Sequence, residues 1–466
     1  MNLSDPPHAD PARPDPSRER LARILARLDT LVDWEKRDRS PGMRRGLAPM
    51  EDLMARLGSP QASFRAVHVA GTKGKGSTAS LIAAGLARAG FSVGLYTSPH
   101  VDRVEERVRV DGRDVAAGEL AEALERAFDA REAAVAGDTA ADEATWFDLL
   151  TAAAFLVFQR RGVDWAVVEC GLGGRLDSTN VVHGEVCVVT NIDLEHTAVL
   201  GNCFADIARE KGGIVKPGSV LVTGVRPGAG RPEEGDDPNA VLEQQARAAG
   251  VRLVRPPLAE GGDGRSTAEA RNVALARTVL DELGPLIKEG SGGPAVSGEL
   301  LDPPTCQAAR LPGRLELTEA AGVPVAIDGA HVASSLSLVL EELRRAPADG
   351  AAPGRPGLTG RPVALIALGR DKDARGLLKA LRAHADTVVC TTVPSGPLRP
   401  ASELRALAAA EGFEATAVEE PERAFEQALD RAREGWLLVI GSFYLAGAVR
   451  AALRAGFGLG QPEPPC

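Results

Sequence analysis

Aromatic residues make up only 4% of this 466-residue chain, too few to form stacking platforms along a single-stranded nucleic acid. Positive charge is also in deficit. Against 64 Asp and Glu there are 54 Lys and Arg, a formal charge of −10. General nucleic-acid binding is thereby excluded, although a local basic site is not. No stretch approaches the roughly 20 apolar residues that span a bilayer. The N-terminus, MNLSDPPHADPARPDPSRER, is polar and Pro-rich with no apolar centre, so it does not read as a secretory signal. These absences point to a cytoplasmic protein that binds neither membrane nor nucleic acid. The six cysteines, Cys170, Cys187, Cys203, Cys306, Cys390 and Cys466, form no CxxC pair and no zinc-like spacing. They read as reduced, buried thiols.

What is present suits a globular protein of about two domains: 44% hydrophobic and 25% charged residues. Residues 1–18 hold little but Pro and charge and are expected to form a tail. An amphipathic helix is expected over Arg20–Leu31. A buried strand at Ala66–Val69 then leads through a Gly-rich loop into a helix at Thr78–Ala89. Strands follow at Ser92–Tyr96, Trp165–Glu169, Val186–Asn191 and Ser219–Val222, with helices at about 117–131 and 145–161. Buried strands alternating with helices predict an α/β fold with a mainly parallel sheet.

Gly- and Pro-rich stretches at Arg226–Pro238, Pro256–Ser266, Glu289–Pro304 and Ala346–Pro362 read as linkers. After the third comes a second α/β unit. Its strands are expected at Arg314–Thr318, Pro324–Asp328, Pro362–Leu368, Thr387–Thr391 and Trp436–Ile440. The expected organisation is a nucleotide-binding P-loop domain over residues 19–309 and a Rossmann-like α/β domain over 310–466.

The loop is Gly71-Thr72-Lys73-Gly74-Lys75-Gly76-Ser77-Thr78, set between strand and helix. Glycines allow backbone N–H groups to turn toward an anion, and the helix start adds free N–H groups and a positive dipole end. Lys75 would reach the β/γ-phosphates. The spacing departs from GxxxxGK[ST], because Gly71 and Gly74 are close and Gly76 follows the lysine.

The loop closely resembles the GT[NK]GKGS string of the folylpolyglutamate synthase/dihydrofolate synthase family, a branch of the Mur-type ligases. The resemblance runs along most of the chain. It includes Thr97-Ser98-Pro99-His100, a strand with Glu106–Val110, and Glu169-Cys170-Gly171-Leu172-Gly173-Gly174-Arg175-Leu176-Asp177-Ser178-Thr179-Asn180. It continues with Thr190-Asn191-Ile192-Asp193-Leu194-Glu195-His196-Thr197, Arg209-Glu210-Lys211 and Leu311-Pro312-Gly313-Arg314. Asp328-Gly329-Ala330-His331, Asp371-Lys372-Asp373 and Gly441-Ser442-Phe443-Tyr444 complete the set. Lys73 and Val332 stand where most bacterial members carry Asn, and both look more like eukaryotic members.

The resemblance implies a ligase that adds L-glutamate to dihydropteroate, to tetrahydrofolate, or to both, through an acyl phosphate. Its cofactors would be ATP, Mg²⁺ at two sites and a monovalent cation, and the protein would be a monomer acting on small molecules. Gly71, Thr72, Gly74, Lys75, Gly76, Ser77 and Thr78 would hold the phosphates, with Lys75 catalytic. Arg314 and Asp328 would reach the nucleotide from the second domain, which would close over ATP. Asn272 is similar to the family's adenine-side asparagine, but Ala268-Glu269 replaces the HQ pair that precedes it in the family.

Glu169 ends a buried strand, where an acid either holds Mg²⁺ or binds loop N–H groups; the resemblance makes it a metal ligand with Ser98 and His196. Ser and carboxylate oxygens suit that hard ion, whereas a hydrogen-bonded loop histidine is the plainer reading of His196. Lys211 by ordinary habit would be an exposed helix lysine. The family carries a carbamylated lysine there, which helps to hold a second Mg²⁺. His331 falls at a strand end, where α/β sheets place ligands, and is assigned to the phosphate or glutamate side of the catalytic centre. Thr145, Phe147, Asp148 and Asp177 are assigned to the pterin, with helix packing the alternative for Phe147. An Arg–Asp surface pair is the alternative for Arg314 and Asp328. Two other functions remain open: another Mur-type amino-acid ligase, and a regulatory P-loop ATPase without ligase activity.

Overall fold

The strand β1 (Arg65–Ala70) is buried on both faces from Ala66 onward, as its mainly apolar sequence, interrupted only by His68, favours. Around it assembles a sheet from β2 (Val93–Tyr96), β3 (Val108–Val110), β4 (Arg113–Asp114), β5 (Trp165–Glu169), β6 (Gly184–Val189), β7 (Val220–Thr223) and β8 (Arg252–Val254). The spatial order is β4-β3-β2-β5-β1-β6-β7-β8. The five pairings from β2 to β8 are parallel, and β3 and β4 add an antiparallel edge. Because β1 lies between β5 and β6, the loops leaving the C-terminal ends of these three strands emerge side by side. That is where open α/β sheets bind ligands.

This computed structural model describes residues 15–33, 46–257, 268–291, 294–344, 358, 360–394 and 396–456. The chain divides into two units. The first comprises Met1–Ser98, Arg107–Pro256 and Leu275–Thr305; the second comprises Pro99–Glu106, Pro257–Ala274 and Cys306–Cys466.

In the first unit the helix Trp146–Arg161 is buried on nearly every side, with Leu149, Leu150, Phe155 and Phe158 fully covered. Burying each such side chain is worth about 1.5–3 kcal/mol. Its start is fixed by a capping box: Thr145 accepts from the Asp148 N–H, and Asp148 accepts from the Thr145 N–H. Its end is fixed by Gly162 at φ 63°.

The second unit contains β9 (Glu316–Ala320), β10 (Val323–Ile327), β11 (Val363–Ile366), β12 (Thr387–Cys390), β13 (Glu414–Ala417) and β14 (Leu437–Ile440). Their order is β13-β12-β11-β14-β10-β9, parallel except for β9 against β10. Period-two alternation divides the core between the two faces. Val325, Ile327, Leu365, Val389, Leu437 and Val439 join one cluster. Ala326, Ala364, Ile366, Val388, Leu438 and Ile440 join the other.

Several sequence expectations need correction. The first helix is Pro16–Leu28, started by the Asp15 side chain accepting from the Ser17 N–H, so residues 16–18 are helical. The rest of the expected tail lies outside the described residues. Glu106 and Arg107 belong to a 3₁₀ turn, Val104–Arg107, and the strand starts at Val108. Arg314 precedes β9 rather than opening it. Part of the first expected linker turns at Pro232–Glu234, and a helix starts at Pro238. The third expected linker begins inside a helix, Ala268–Ser291. The second and fourth fall largely outside the described residues. Cys170, Cys187 and Cys390 are buried free thiols, but Cys203 and Cys306 are only half-buried; Cys466 lies outside the described residues.

Candidate active site

The loop after β1 owes its path to two glycines. Gly71 has φ 141°, and a Cβ there would lie 1.9 Å from Thr190 Oγ1. Gly74 has φ 78° and precedes the helix Lys75–Arg88 with no side-chain cap. The first-turn N–H groups of that helix are therefore offered to an incoming anion.

The loop is laced to the segment that follows β6. The Asn191 amide makes a two-point contact with the Lys73 peptide: Lys73 N–H donates to Oδ1 at 2.9 Å, and Nδ2 donates to the Lys73 carbonyl at 2.8 Å. Thr190 Oγ1 donates to the same carbonyl at 2.7 Å. The Thr72 N–H donates to the Asn191 carbonyl, and Thr72 Oγ1 accepts from the Asp193 N–H at 3.0 Å. Neither Thr190 nor Asn191 was singled out from sequence, although both lie within a matching string.

The candidate phosphate residues do not all face the same way. Lys75 Nζ donates to the Thr72 carbonyl at 3.4 Å. Ser77 is half-buried, and Gly71, Thr72 and Gly76 are buried. Thr78 is wholly buried, and its Oγ1 has no partner among the described residues.

Lys211 is not an exposed helix lysine. It is 4% exposed near the end of the helix Phe204–Gly212, and its Nζ donates to the Gly71 carbonyl at 2.7 Å. Burial and then the nearby Lys75 push its pKa down to about 7, against the pull of Glu195. The glycine loop after β5 supports that helix end. The Arg175 N–H donates to the Glu210 carbonyl at 2.7 Å, and the Arg175 guanidinium donates to the Glu210 carboxylate at 2.7 Å.

Glu169, at the end of β5, is 2% exposed and accepts from the Ser98 N–H at 3.0 Å. It thus binds a loop N–H group, one of the two roles expected for an acid there, and it draws Ser98 beside its carboxylate. His196 has φ 52° and directly precedes the short helix Thr197–Leu200, without a capping hydrogen bond from its side chain. Among the described residues, no three His, Cys, Asp or Glu side chains form a metal-binding group. A carboxylate beside a serine still fits Mg²⁺, which takes oxygen donors and keeps most of its waters.

The four residues assigned to the pterin lie around the same loop. Asp177 is buried, which pushes its pKa up, while N–H and hydroxyl donors oppose the shift. It accepts from the Leu172 N–H at 2.7 Å and from the Thr179 hydroxyl at 2.5 Å. Asp148 accepts from the Thr145 hydroxyl and the Ser178 hydroxyl, each at 2.7 Å. Phe147 is half-buried and lies 6.0 Å from the Tyr96 ring. Behind Asp177, Thr179 Oγ1 meets His68 Nε2 at 2.9 Å, and His68 Nε2 lies 3.1 Å from Cys170 Sγ. Burial holds His68 neutral, with its pKa pushed down to about 3. Sequence reasoning passed over His68 and Thr179, because a histidine within an apolar strand gives no sign of what it faces.

In the second unit, Asp328 follows β10 and accepts from the N–H groups of Leu315 and Ala330 at 2.8 and 2.7 Å. Burial raises its pKa, while those N–H groups and Arg314 oppose the rise. The Arg314 guanidinium lies 4.8 Å from the Phe443 ring centroid. His331 Nδ1 is 2.9 Å from the Gly329 carbonyl, and its ring meets Phe443 at 6.5 Å. Asn272 is half-buried in the helix Ala268–Ser291.

Residues 313–443 match the family described as Mur ligase, glutamate ligase domain. That match and the two α/β units define the class, a Mur-type ligase. A stretch of 185 residues is 43% identical to a dihydrofolate synthase/folylpolyglutamate synthase of Bacillus subtilis, covering 40% of this chain and 43% of that protein. A longer match of 429 residues is 30% identical to a folylpolyglutamate synthase of Lacticaseibacillus casei, covering 87% of this chain and 93% of that protein. Among solved structures, the bifunctional folylpolyglutamate synthase/dihydrofolate synthase of Yersinia pestis, complexed with AMPPNP and a Mn ion, is similar at TM-score 0.71 and 27% identity. That likeness covers 93% of this chain and 98% of that one. The chain belongs to the folylpolyglutamate synthase/dihydrofolate synthase family.

Proposed function

We propose that the chain is an ATP-dependent ligase that joins L-glutamate to a folate acceptor. The observation that carries this reading is the convergence of three segments at one end of the sheet: the loop Gly71–Lys75, the Ser98–Glu169 contact, and Lys211 on the Gly71 carbonyl. The family's activity and the AMPPNP and Mn ion of the Yersinia relative support it.

In this reading the acceptor's carboxylate attacks the γ-phosphorus of ATP, ADP departs, and an acyl phosphate forms. The amine of glutamate then attacks the acyl carbon, phosphate leaves, and the nitrogen loses a proton. Phosphoryl transfer depends chiefly on positioning and on neutralising charge. The loop N–H groups and Lys75 would hold the phosphates, and Arg314, Asp328 and Asn272 are assigned to the nucleotide. Ser98, Glu169 and His196 would hold Mg²⁺, which neutralises phosphate charge when bound. Lys211, with a pKa near 7, has a large neutral fraction at physiological pH, as reaction with CO₂ to a carbamate requires. A carbamate there would supply oxygens for a second Mg²⁺; a monovalent cation completes the expected set. His331 is assigned to the phosphate or glutamate side.

For the pterin, Phe147 offers a ring face, and Thr145, Asp148 and Asp177 supply the polar edge. Dihydropteroate and tetrahydrofolate are both candidate acceptors. A monomer in the cytoplasm completes the reading; among the described residues no helix is long and apolar enough to cross a membrane.

The test is phosphate release from ATP with Mg²⁺ and L-glutamate, comparing dihydropteroate with tetrahydrofolate. Turnover should require both glutamate and an acceptor, and the faster acceptor names the main activity. ATP hydrolysis indifferent to both would overturn the ligase and favour a regulatory ATPase.

A further inference from the structure

Three ammonium groups surround the phosphate loop, and they are held differently. Those of Lys75 and Lys211 donate to main-chain carbonyls of the loop itself, at 3.4 and 2.7 Å. That of Lys73 lies 3.7 Å from the Asp193 carboxylate. Both partners sit on fixed main chain. The Lys73 peptide is clamped on its N–H and carbonyl sides by Asn191, and the Asp193 N–H donates to Thr72 Oγ1. The separation exceeds a hydrogen bond, and the side chains are 32% and 54% exposed, so the pair is weak. Lys73 also stands one residue from Gly74, where the helix N-terminus faces an incoming anion. A nucleoside polyphosphate there carries several negative charges against the single charge of Asp193. In competition for one ammonium group, the polyphosphate has the larger Coulomb attraction.

We propose that Lys73 is a second phosphate-directed cation of the loop and that Asp193 restrains it, so that this pair sets the affinity for nucleoside polyphosphates. The inference rests on the nucleotide reading above. It makes the two partners act in opposite directions, which a structural brace does not.

Calorimetric titration of the full chain with Mg²⁺-AMPPNP and with Mg²⁺-ADP tests it. Lys73→Asn should weaken AMPPNP binding about tenfold or more, the order of one charge-assisted hydrogen bond. Asp193→Asn removes the carboxylate that competes for the ammonium group and should tighten AMPPNP binding by about threefold or more, within the range of an exposed ion pair. The double variant should match Lys73→Asn, because the carboxylate acts through the lysine. Lys73→Arg keeps the charge and should stay within about threefold of the parent, which shows that the loop tolerates a change of side chain. Weaker binding in Asp193→Asn, or the same Asp193→Asn effect with and without Lys73, overturns the proposal. Failure of the parent protein to bind either nucleotide would instead remove the nucleotide reading itself.

Discussion

At the scale of single residues, Lys211 departs most from ordinary behaviour. An unfolded lysine keeps its proton to about pH 10.5, whereas burial makes folded Lys211 release it near 7. Between those values the unfolded chain binds the extra proton. Stability therefore rises with pH from about 7 to 10.5, and the full cost is present below 7. In CO₂-free buffer, Lys211→Met should be more stable than the parent at pH 6, and this advantage should shrink toward pH 10. Urea midpoints at pH 6, 8 and 10 measure it. Lys211→Ala should nearly abolish turnover, with partial recovery on adding a short carboxylic acid that fills the gap. Full activity in the alanine variant would remove the carbamate proposal. The burial of Lys211 was not legible in the sequence, because a lysine after Glu210 carries no sign that the loop after β5 lies across it. Its importance was visible only through the resemblance.

At the scale of elements, buried strands announce themselves more plainly than edge strands, although the edge strand β9 was foreseen two residues early at Arg314–Thr318. The apolar runs of β1, β5, β11 and β14 were found within a residue or two of their observed ends. The edge strands β8 and β13 were missed, since Arg252-Leu253-Val254 and Glu414-Ala415-Thr416-Ala417 are short and partly exposed. The phosphate loop was legible because strand, glycines and helix are contiguous. The Asp177–Thr179–His68 chain was not, because it joins a loop to a strand 111 residues away in the sequence. Thr179→Val removes the hydroxyl between two buried polar groups and should cost about 1–3 kcal/mol. Equilibrium denaturation reads this directly, and an unchanged midpoint would mean that the pair rearranges without loss. Gly71→Ala meets Thr190 Oγ1 in a backbone conformation that L residues avoid. That variant should lose nucleotide binding by at least about tenfold even where it still folds, by the arithmetic of one lost charged contact.

At the scale of the whole molecule, a chain of net charge −10 gathers Lys73, Lys75 and Lys211 at one loop. A saturating nucleotide stabilises whichever state binds it, by about 2.7 kcal/mol at a hundredfold excess over Kd. Mg²⁺-ADP should therefore raise the midpoint of thermal unfolding, and Lys75→Ala should abolish most of the rise. Raised ionic strength should shrink the rise in the parent protein, because the contact is between charges and partly exposed to solvent.

The Asn191 clamp on the Lys73 peptide carries a consequence for timing. A side-chain amide that both accepts from and donates to one residue copies the pairing of a neighbouring strand, so strand-like hydrogen bonding reaches into the loop as far as Lys73. The Lys73 amide proton should then exchange with solvent deuterium as slowly as those of β1, while the amides of Gly76 and Ser77, at the open helix end, exchange in the fast phase. The loop thus has a stationary half and a receptive half, and an arriving phosphate has only the second to bring to rest.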